Sequence, residues 1–348
     1  MNIEAGILLA VSAGILNGTF ALPMKLTGKW AWENIWFPFS FLSLLVFPFM
    51  IVFFSTPHLA LLFKSLPMSN ILTAMLWGII AFGGSLLFGI SLDFIGVALA
   101  FTLLVGSMSI VGIFLPLLIF NMDVLSTAGG LLILSGVLLF FISLFFSFRA
   151  GKLKEISRKA HDDENSSRSR SQITGMILAI TGGALSGLLS LGMNMDWAKE
   201  IIEKAVQIGN ADPSYAGNAA LAWVLFGGIV PNGGYSLYLL CKNKSWKLYQ
   251  INSTRLYWLA ILVMAIFYSA SVGLWGIAIS EKMLGTLGPS IGWSLFIGFM
   301  VISSNIGGFI TGEWKQAGRK SIWFIIISLA LIASALLLIG YGNFKLNQ

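Results

Sequence analysis

The sequence predicts an all-α polytopic membrane protein: ten transmembrane helices arranged as two inverted five-helix repeats. Three observations predict it. Charged residues make up only 10% of the chain and hydrophobic residues 57%, with a mean hydropathy of +0.87, whereas soluble domains carry about 25% charged residues. Ten apolar stretches are each long enough, at about 20 residues, to cross a bilayer core. The stretch GILLAVSAGILNG (6–18) also returns 169 positions later as GMILAITGGALSG (175–187), with Gly6, Leu9, Ala10, Gly14, Leu16 and Gly18 recurring as Gly175, Leu178, Ala179, Gly183, Leu185 and Gly187.

The hydropathy places spans at about 3–24, 34–54, 70–92, 96–120, 124–148, 173–194, 217–241, 257–280, 285–311 and 321–341. No Lys or Arg precedes the first apolar run, so it lacks the basic n-region of a secretory signal and reads as a retained span. Asn17 and Lys25 are eight residues apart and share a face of that span. Span two opens with Trp30, Trp32 and Trp36, which suit an interfacial belt, or in the case of Trp36 a platform for a sugar ring.

Asp93 lies in the short turn between spans three and four, either as a cap or as a proton-titrating carboxylate. After span five, residues 149–172 mix charges and serines without a large apolar cluster, the composition of a flexible linker. The chain is thereby divided into repeats 1–148 and 173–348.

Span six repeats span one. Adding 169 to Asn17 and Lys25 gives Ser186 and Asn194, again polar and again on one face. Residues 198–215 place Ile201, Ala205 and Ile208 at helical spacing among charges and predict an amphipathic surface helix closed by Asp212-Pro213. Gly83-Gly84, Gly227-Gly228, Pro231, Gly233-Gly234 and Gly307-Gly308 are candidate bends. Span eight ends at Glu281-Lys282, an interfacial ion pair or a gate. Span nine holds the polar triplet Ser303-Ser304-Asn305, a candidate cavity lining.

With ten spans the loops divide into two sets. One holds five basic residues: Lys64, Lys199, Lys204, Lys282 and Lys345. The other holds the remaining sixteen of the 21. The positive-inside rule then puts the richer set, with residues 149–172, in the cytoplasm and both termini outside. Five spans per half is odd, so the halves insert in opposite senses. That is the architecture of many secondary transporters, with a solute site between the repeats near mid-membrane. Polar groups inside a bilayer are costly and usually face the bundle interior. Amides and hydroxyls on the two pseudo-symmetric stripes offer both donors and acceptors, as a hydroxyl-rich solute requires. Interhelical hydrogen bonds without a ligand are the simpler role for the same side chains, and snorkelling is the simpler role for Lys25.

Enzyme chemistry finds no parts. His58 and His161 both fall in predicted loops, and there is no H-E-x-x-H, Walker A or G-x-S-x-G pattern. Cys241 is the single cysteine, so no internal disulfide forms. The charge of +7 sits in loops and reads as membrane orientation rather than nucleic-acid binding. No metal, cofactor or nucleic-acid partner is expected.

Four stretches carry a family resemblance: KWAWENIW (29–36), FRAGKLKE (148–155), ADPSY (211–215) and GEWKQAGRK (312–320). Together they resemble the L-rhamnose–proton symporter family of the drug/metabolite transporter superfamily, along nearly the whole chain. The resemblance implies ten spans in two halves and proton-coupled import of a deoxy sugar, L-rhamnose or a related monosaccharide, across the bacterial cytoplasmic membrane. On that reading Asn17, Lys25, Trp36, Ser186, Asn194, Ser304 and Asn305 are the candidate substrate-binding residues, and Asp93 and Glu281 the candidate proton-coupling residues. The alternatives are a metabolite or drug exporter of the same superfamily and a membrane sensor that binds without translocating.

Overall fold

The structure, a computed structural model, describes residues 2–161, 172–251, 254–312, 314–315 and 317–346. Among these, ten helices are long and apolar enough to cross a membrane: α1 (Ile3–Leu26), α2 (Trp32–Ser55), α3 (Met68–Leu92), α4 (Leu99–Phe120), α5 (Ala128–Lys154), α6 (Ile173–Gly192), α7 (Gly217–Lys242), α8 (Arg255–Ala278), α9 (Gly288–Ile310) and α10 (Arg319–Leu346). The chain folds as the all-α, ten-span protein its hydropathy demands.

α1 packs against α8 and α9, and α6 packs against α3 and α4. α2 meets α7 and α8, α3 meets α7, and α5 runs beside α10. Lipid gives no hydrophobic drive between helices, so close approach through small residues holds such seams. A Cβ at Gly14 would lie 2.5 Å from the Phe296 carbonyl oxygen, and one at Gly18 would collide with Ser303 and Met300 of α9. On α6, a Cβ at Gly187 would lie 2.6 Å from the Met108 carbonyl oxygen, and one at Gly183 would strike Leu104 of α4. The duplicated small-xxx-small faces therefore do the same packing in α1 and in α6. Gly96 alone separates α3's helix from α4's; its φ of 76° is open to glycine without strain.

Two spans depart from regular α-helix at positions other than the glycine pairs. Regular α-helix gives way to π-helix in α2 at Leu42–Val46 and in α4 at Ile110–Phe114, each just before a proline (Pro48, Pro116). Proline lacks the N–H that would continue the α-helical ladder, and π turns absorb the misfit.

Two boundaries differ from expectation. α5 begins after a 3₁₀ turn at Met122–Ser126, where Thr127 Oγ1 accepts from the Gly130 N–H at 3.0 Å. Its helix then continues to His161, so the first part of the expected flexible linker is helical. Residues 149–161 contain no proline and are rich in helix formers. They also find partners: Ser321 Oγ donates to the Ala150 carbonyl (2.6 Å), and Lys154 sits over the Trp314 ring at 4.4 Å. Residues 162–171 lie outside the described residues.

The amphipathic segment forms a helix at Asp196–Gln207 with Trp197, Ala198, Ile201 and Ala205 buried. It packs on α3, α7 and the short Leu59–Ser65 helix. Asn70 Nδ2 donates to Glu200 at 2.7 Å; that bond and Lys204 hold the Glu200 carboxyl below its usual range. The helix stops short of Asp212 because Asn210 takes a left-handed φ of 54°.

Hydrogen bonds sort the loops into two faces. On one, the Asn2 N–H donates to the Lys282 carbonyl (2.7 Å) and the His58 N–H to the Gly209 carbonyl (2.9 Å); this is called the Asp212 face. On the other, Lys25 Nζ meets Thr311 Oγ1 (2.6 Å) and Trp30 Nε1 donates to the Leu248 carbonyl (2.9 Å); this is called the Glu33 face.

Candidate functional site

Near the Asp212 face, the ends of α2 and α8 leave a groove of about 740 Å³ between them, floored by the start of α7 and the 212–215 turn. That volume is within the usual range for small-molecule sites, ~300–1,000 Å³. Met50, Phe54, Ile266 and Ile277 make the walls apolar, while Ser55, Asp212, Tyr215, Asn218 and Ser269 supply polar groups. Asn218 and Ser269 also line a narrow crevice that continues from the groove between α2, α7 and α8.

The π-helix in α2 holds one of the lining side chains. Ser43, within it, accepts on its carbonyl a hydrogen bond from Ser269 Oγ (3.1 Å). Asn218 is only 4% exposed, and its Nδ2 is buried without a hydrogen-bond partner. A buried donor left unmade costs about 1–3 kcal/mol, so Asn218 brings an unmet N–H to a residue that lines the groove. At the rim the Ser214 N–H donates to Asp212 (2.8 Å) and Lys282 lies 3.7 Å away. These contacts hold the Asp212 carboxyl below its ordinary range and keep it ionised at neutral pH.

The same three helices are sealed at the Glu33 face. Trp30, Ile35 and Phe39 of α2 and its approach pack with Ile261, Met264 and Ala265 of α8. Phe20 and Tyr268 close on Phe39 at 5.5 and 5.7 Å between ring centroids. Glu33 Oε1 accepts from Asn243 Nδ2 (2.9 Å) and Ser245 Oγ (2.8 Å). Asn34 Nδ2 donates to the Ser245 carbonyl (2.9 Å), and the Tyr249 hydroxyl donates to the Asn34 carbonyl (3.0 Å). Burial pushes the Tyr249 phenol up to about 12, so it remains a donor. The groove thus lies at the Asp212-face end of α2 and α8, and the same helices are packed closed at the Glu33 face.

None of the seven sequence-derived candidates lines the groove. Asn17 Nδ2 donates to Ser271 Oγ of α8 at 3.0 Å. Its counterpart Ser186 donates to the carbonyls of Ala81 in α3 (3.2 Å) and Gly182 (2.9 Å). Lys25 meets Thr311. Trp36 Nε1 donates to Asn232 Oδ1 of α7 (3.3 Å), which also accepts from Ser85 Oγ of α3 (3.2 Å); its ring stacks on Trp32 within the sealed end. Trp30 is buried among Tyr249, Tyr257 and Trp258 rather than in an exposed belt. Asn194, Ser304 and Asn305 donate to carbonyls of their own helices, at Ser190 (3.0 Å) and Val301 (3.0 and 2.8 Å).

Of the proton-coupling candidates, the Asp93 side chain lies outside the described residues. Glu281 is exposed in the turn after α8, and its neighbour Lys282 pairs with Asp212 instead.

Asn218, Ser269, Asp212 and Tyr215 were not singled out as site residues in the sequence. Their signals were present: an amide opening an otherwise Ala/Leu-rich span, and the S-A-S of 269–271 inside an aromatic one.

A model of the family described as L-rhamnose-proton symport protein (RhaT) matches residues 1–344. The chain is also similar to the L-rhamnose-proton symporter of Shigella dysenteriae serotype 1 (strain Sd197), 28% identical over 335 residues and covering 93% of each chain. Similarity to the L-rhamnose-proton symporter of Escherichia coli O9:H4 (strain HS) is 27% over 335 residues, again with 93% of each chain covered.

Proposed function

Because the chain belongs to the L-rhamnose–proton symport family, we propose that it imports L-rhamnose or a related monosaccharide together with protons by alternating access. The groove that is open at the Asp212 face and sealed at the Glu33 face carries this reading. Sugar enters between α2 and α8, where Asn218 Nδ2 meets a sugar oxygen and Ser269, Tyr215 and Ser55 offer hydroxyls. The apolar walls receive the C–H face of the ring and the methyl group of a deoxy sugar. Hydroxyls left unpaired on binding would cost affinity, so the polar groups set which stereochemistry fits.

The two halves, 1–148 and 173–348 joined through 149–172, act as inverted repeats. The helix neighbourhoods support this: exchanging each span with the one five places later turns α1 on α9 into α6 on α4, α3 on α6 into α8 on α1, and leaves α5 on α10 and α2 on α7 in place. Repeats of this kind rock around a fixed site. The five-to-sixteen split of basic residues sets the Glu33 face in the bacterial cytoplasm and both termini outside, so the groove faces outward.

The two polar stripes lie outside the groove lining and would act on it through neighbouring helices. Asn17 bonds Ser271, two residues from groove-lining Ser269, and Asn194 is buried at the end of α6. Asn17→Ala and Asn194→Ala are each expected to weaken sugar binding while leaving insertion intact. Normal transport kinetics in both variants would remove the stripes from the site.

Solute counterflow tests translocation itself. Exchange of labelled sugar across a sealed vesicle is expected, whereas a sensor binds without exchange. The apolar walls also suit an amphipathic solute, which is what favours an exporter as the second reading. Efflux driven by an inward proton gradient would establish that one instead.

A further inference from the structure

We propose that Glu33 is a proton-responsive latch: ionised, it holds Asn243 and Ser245 and keeps the Glu33 face shut, and protonated it releases them. The proposal rests on the sugar–proton symport reading and names the group that couples the proton to it.

Glu33 is the one charged side chain among the buried described residues. Both of its side-chain partners donate to the same oxygen, and it lies in the first turn of the Trp32–Phe41 helix, where the backbone N–H groups favour an anion. The arrangement is complementary to a carboxylate. A carboxylic acid there would carry an O–H with two donors facing it, and the remaining bonds would lose the charge assistance that makes them roughly twice as strong as neutral ones.

The charged and titratable groups around it leave the role to Glu33. Lys29 precedes it on its own segment, Lys242, Lys244 and Lys247 surround Asn243 and Ser245, and Arg255 and Tyr257 open α8. Among the described residues no ion pair joins any of these cations to Glu33. Lys242 sits over the Tyr238 ring. Tyr249 is the titratable group that faces Glu33 from the Ser245–Gln250 helix, and it is held protonated.

Position in the fold makes this joint a gate. The first helix of α2 is capped by Ala31 and α7 by Ala216, so Glu33 and Asn218 each stand two residues past an equivalent cap. The C-caps that end α2 and α7 are Thr56 and Asn243, and each is followed eleven positions later by the N-cap of the next span, Pro67 or Thr254. The two joints are equivalent by position. At the Glu33 face the joint is engaged, Glu33 to Asn243. At the Asp212 face it is disengaged: Asn218 Nδ2 is unpartnered, and among the described residues no hydrogen bond joins Asn218 to Thr56, the equivalent of Asn243. Alternation then closes Asn218 on the end of α2 as Glu33 lets go. Asp212 and Tyr215 stand at the Asp212 face, but Asp212 is engaged by Ser214 and Lys282 rather than by Asn218. Of the two paired joints, the one closed through a carboxylate is Glu33 with Asn243 and Ser245, and that joint answers to a proton. Glu33 takes one proton arriving with the sugar from the groove side and gives it up to solvent once its own face has opened.

The test uses the full chain in proteoliposomes, with wild type beside Glu33→Gln. Counterflow of labelled L-rhamnose is expected to persist in Glu33→Gln, while gradient-driven accumulation falls to the level seen without a gradient. Opening is read separately through Ile35→Cys, placed at a buried position of the sealed end, in a Cys241→Ser background with a membrane-impermeant maleimide. Labelling from the Glu33 side, held at constant pH, is expected to quicken on acidifying the Asp212 side and to be fast at every Asp212-side pH once Glu33→Gln is added. Wild-type accumulation and wild-type labelling in Glu33→Gln would overturn the latch.

If wild type accumulates no sugar, the symport reading fails, while acid-quickened labelling still upholds the latch and its absence overturns it. Asn243→Asp covers the case in which Glu33→Gln does not fold. It sets a second carboxylate against Glu33, so the pH response should invert: open at neutral pH, shut in acid. An unchanged response would contradict the proposal.

Discussion

Replacing Ala270 with tryptophan is expected to abolish sugar uptake while leaving the protein folded and inserted. Ala270 lines the groove from α8, partly exposed, so an indole there grows into open space rather than into a packed seam. It would fill the gap across to Met50 and Ile51 of α2, the space a monosaccharide has to occupy. The expected loss of binding is at least about 3 kcal/mol, roughly two orders of magnitude in affinity. Initial uptake rates, read beside a monodisperse elution profile in detergent, decide it. Folded protein with normal uptake would show that the groove is not on the path.

Asn218→Leu is expected to separate stability from function. The substitution keeps side-chain size while removing a buried N–H that has no partner. Relieving such a group is worth about 1–3 kcal/mol where the replacement packs equally well, so thermal stability should hold or rise. Sugar affinity should fall about tenfold, the equivalent of one net hydrogen bond of ~1.4 kcal/mol. A destabilised variant with unchanged affinity would make Asn218 a packing residue and would leave the groove without its best-placed donor.

The spans were legible because hydropathy over about 20 residues is a local property. The α1/α6 duplication was legible for a similar reason, since close packing keeps Gly14, Gly18, Gly183 and Gly187 wherever carbonyls of α9 and α4 come near. The surface helix at 196–207 was legible in its period, though it covers protein as well as facing solvent. The site was less so. Asn194, Ser304, Asn305 and Asn218 look alike in sequence, as polar groups in apolar helices. The first three donate to the preceding turn of their own helix, while Asn218 stands at a helix start and points its amide where no carbonyl follows. Tertiary packing alone distinguishes them.

Glu33 was masked by its Trp-rich surroundings, which read as an interfacial belt until the 243–250 segment folded over them. The π turns of α2 and α4 left no trace beyond Pro48 and Pro116, because proline marks a missing donor without saying how the helix absorbs it.

The most direct test of the transport claim is uptake of labelled L-rhamnose by proteoliposomes, with and without an imposed inward proton gradient and beside a panel of unlabelled sugars. Accumulation above the external concentration only when the gradient is present is expected, with competitors ranked by how closely their hydroxyls match those of L-rhamnose. Gradient-insensitive equilibration, or no exchange of any sugar by folded protein, would contradict proton-coupled sugar import.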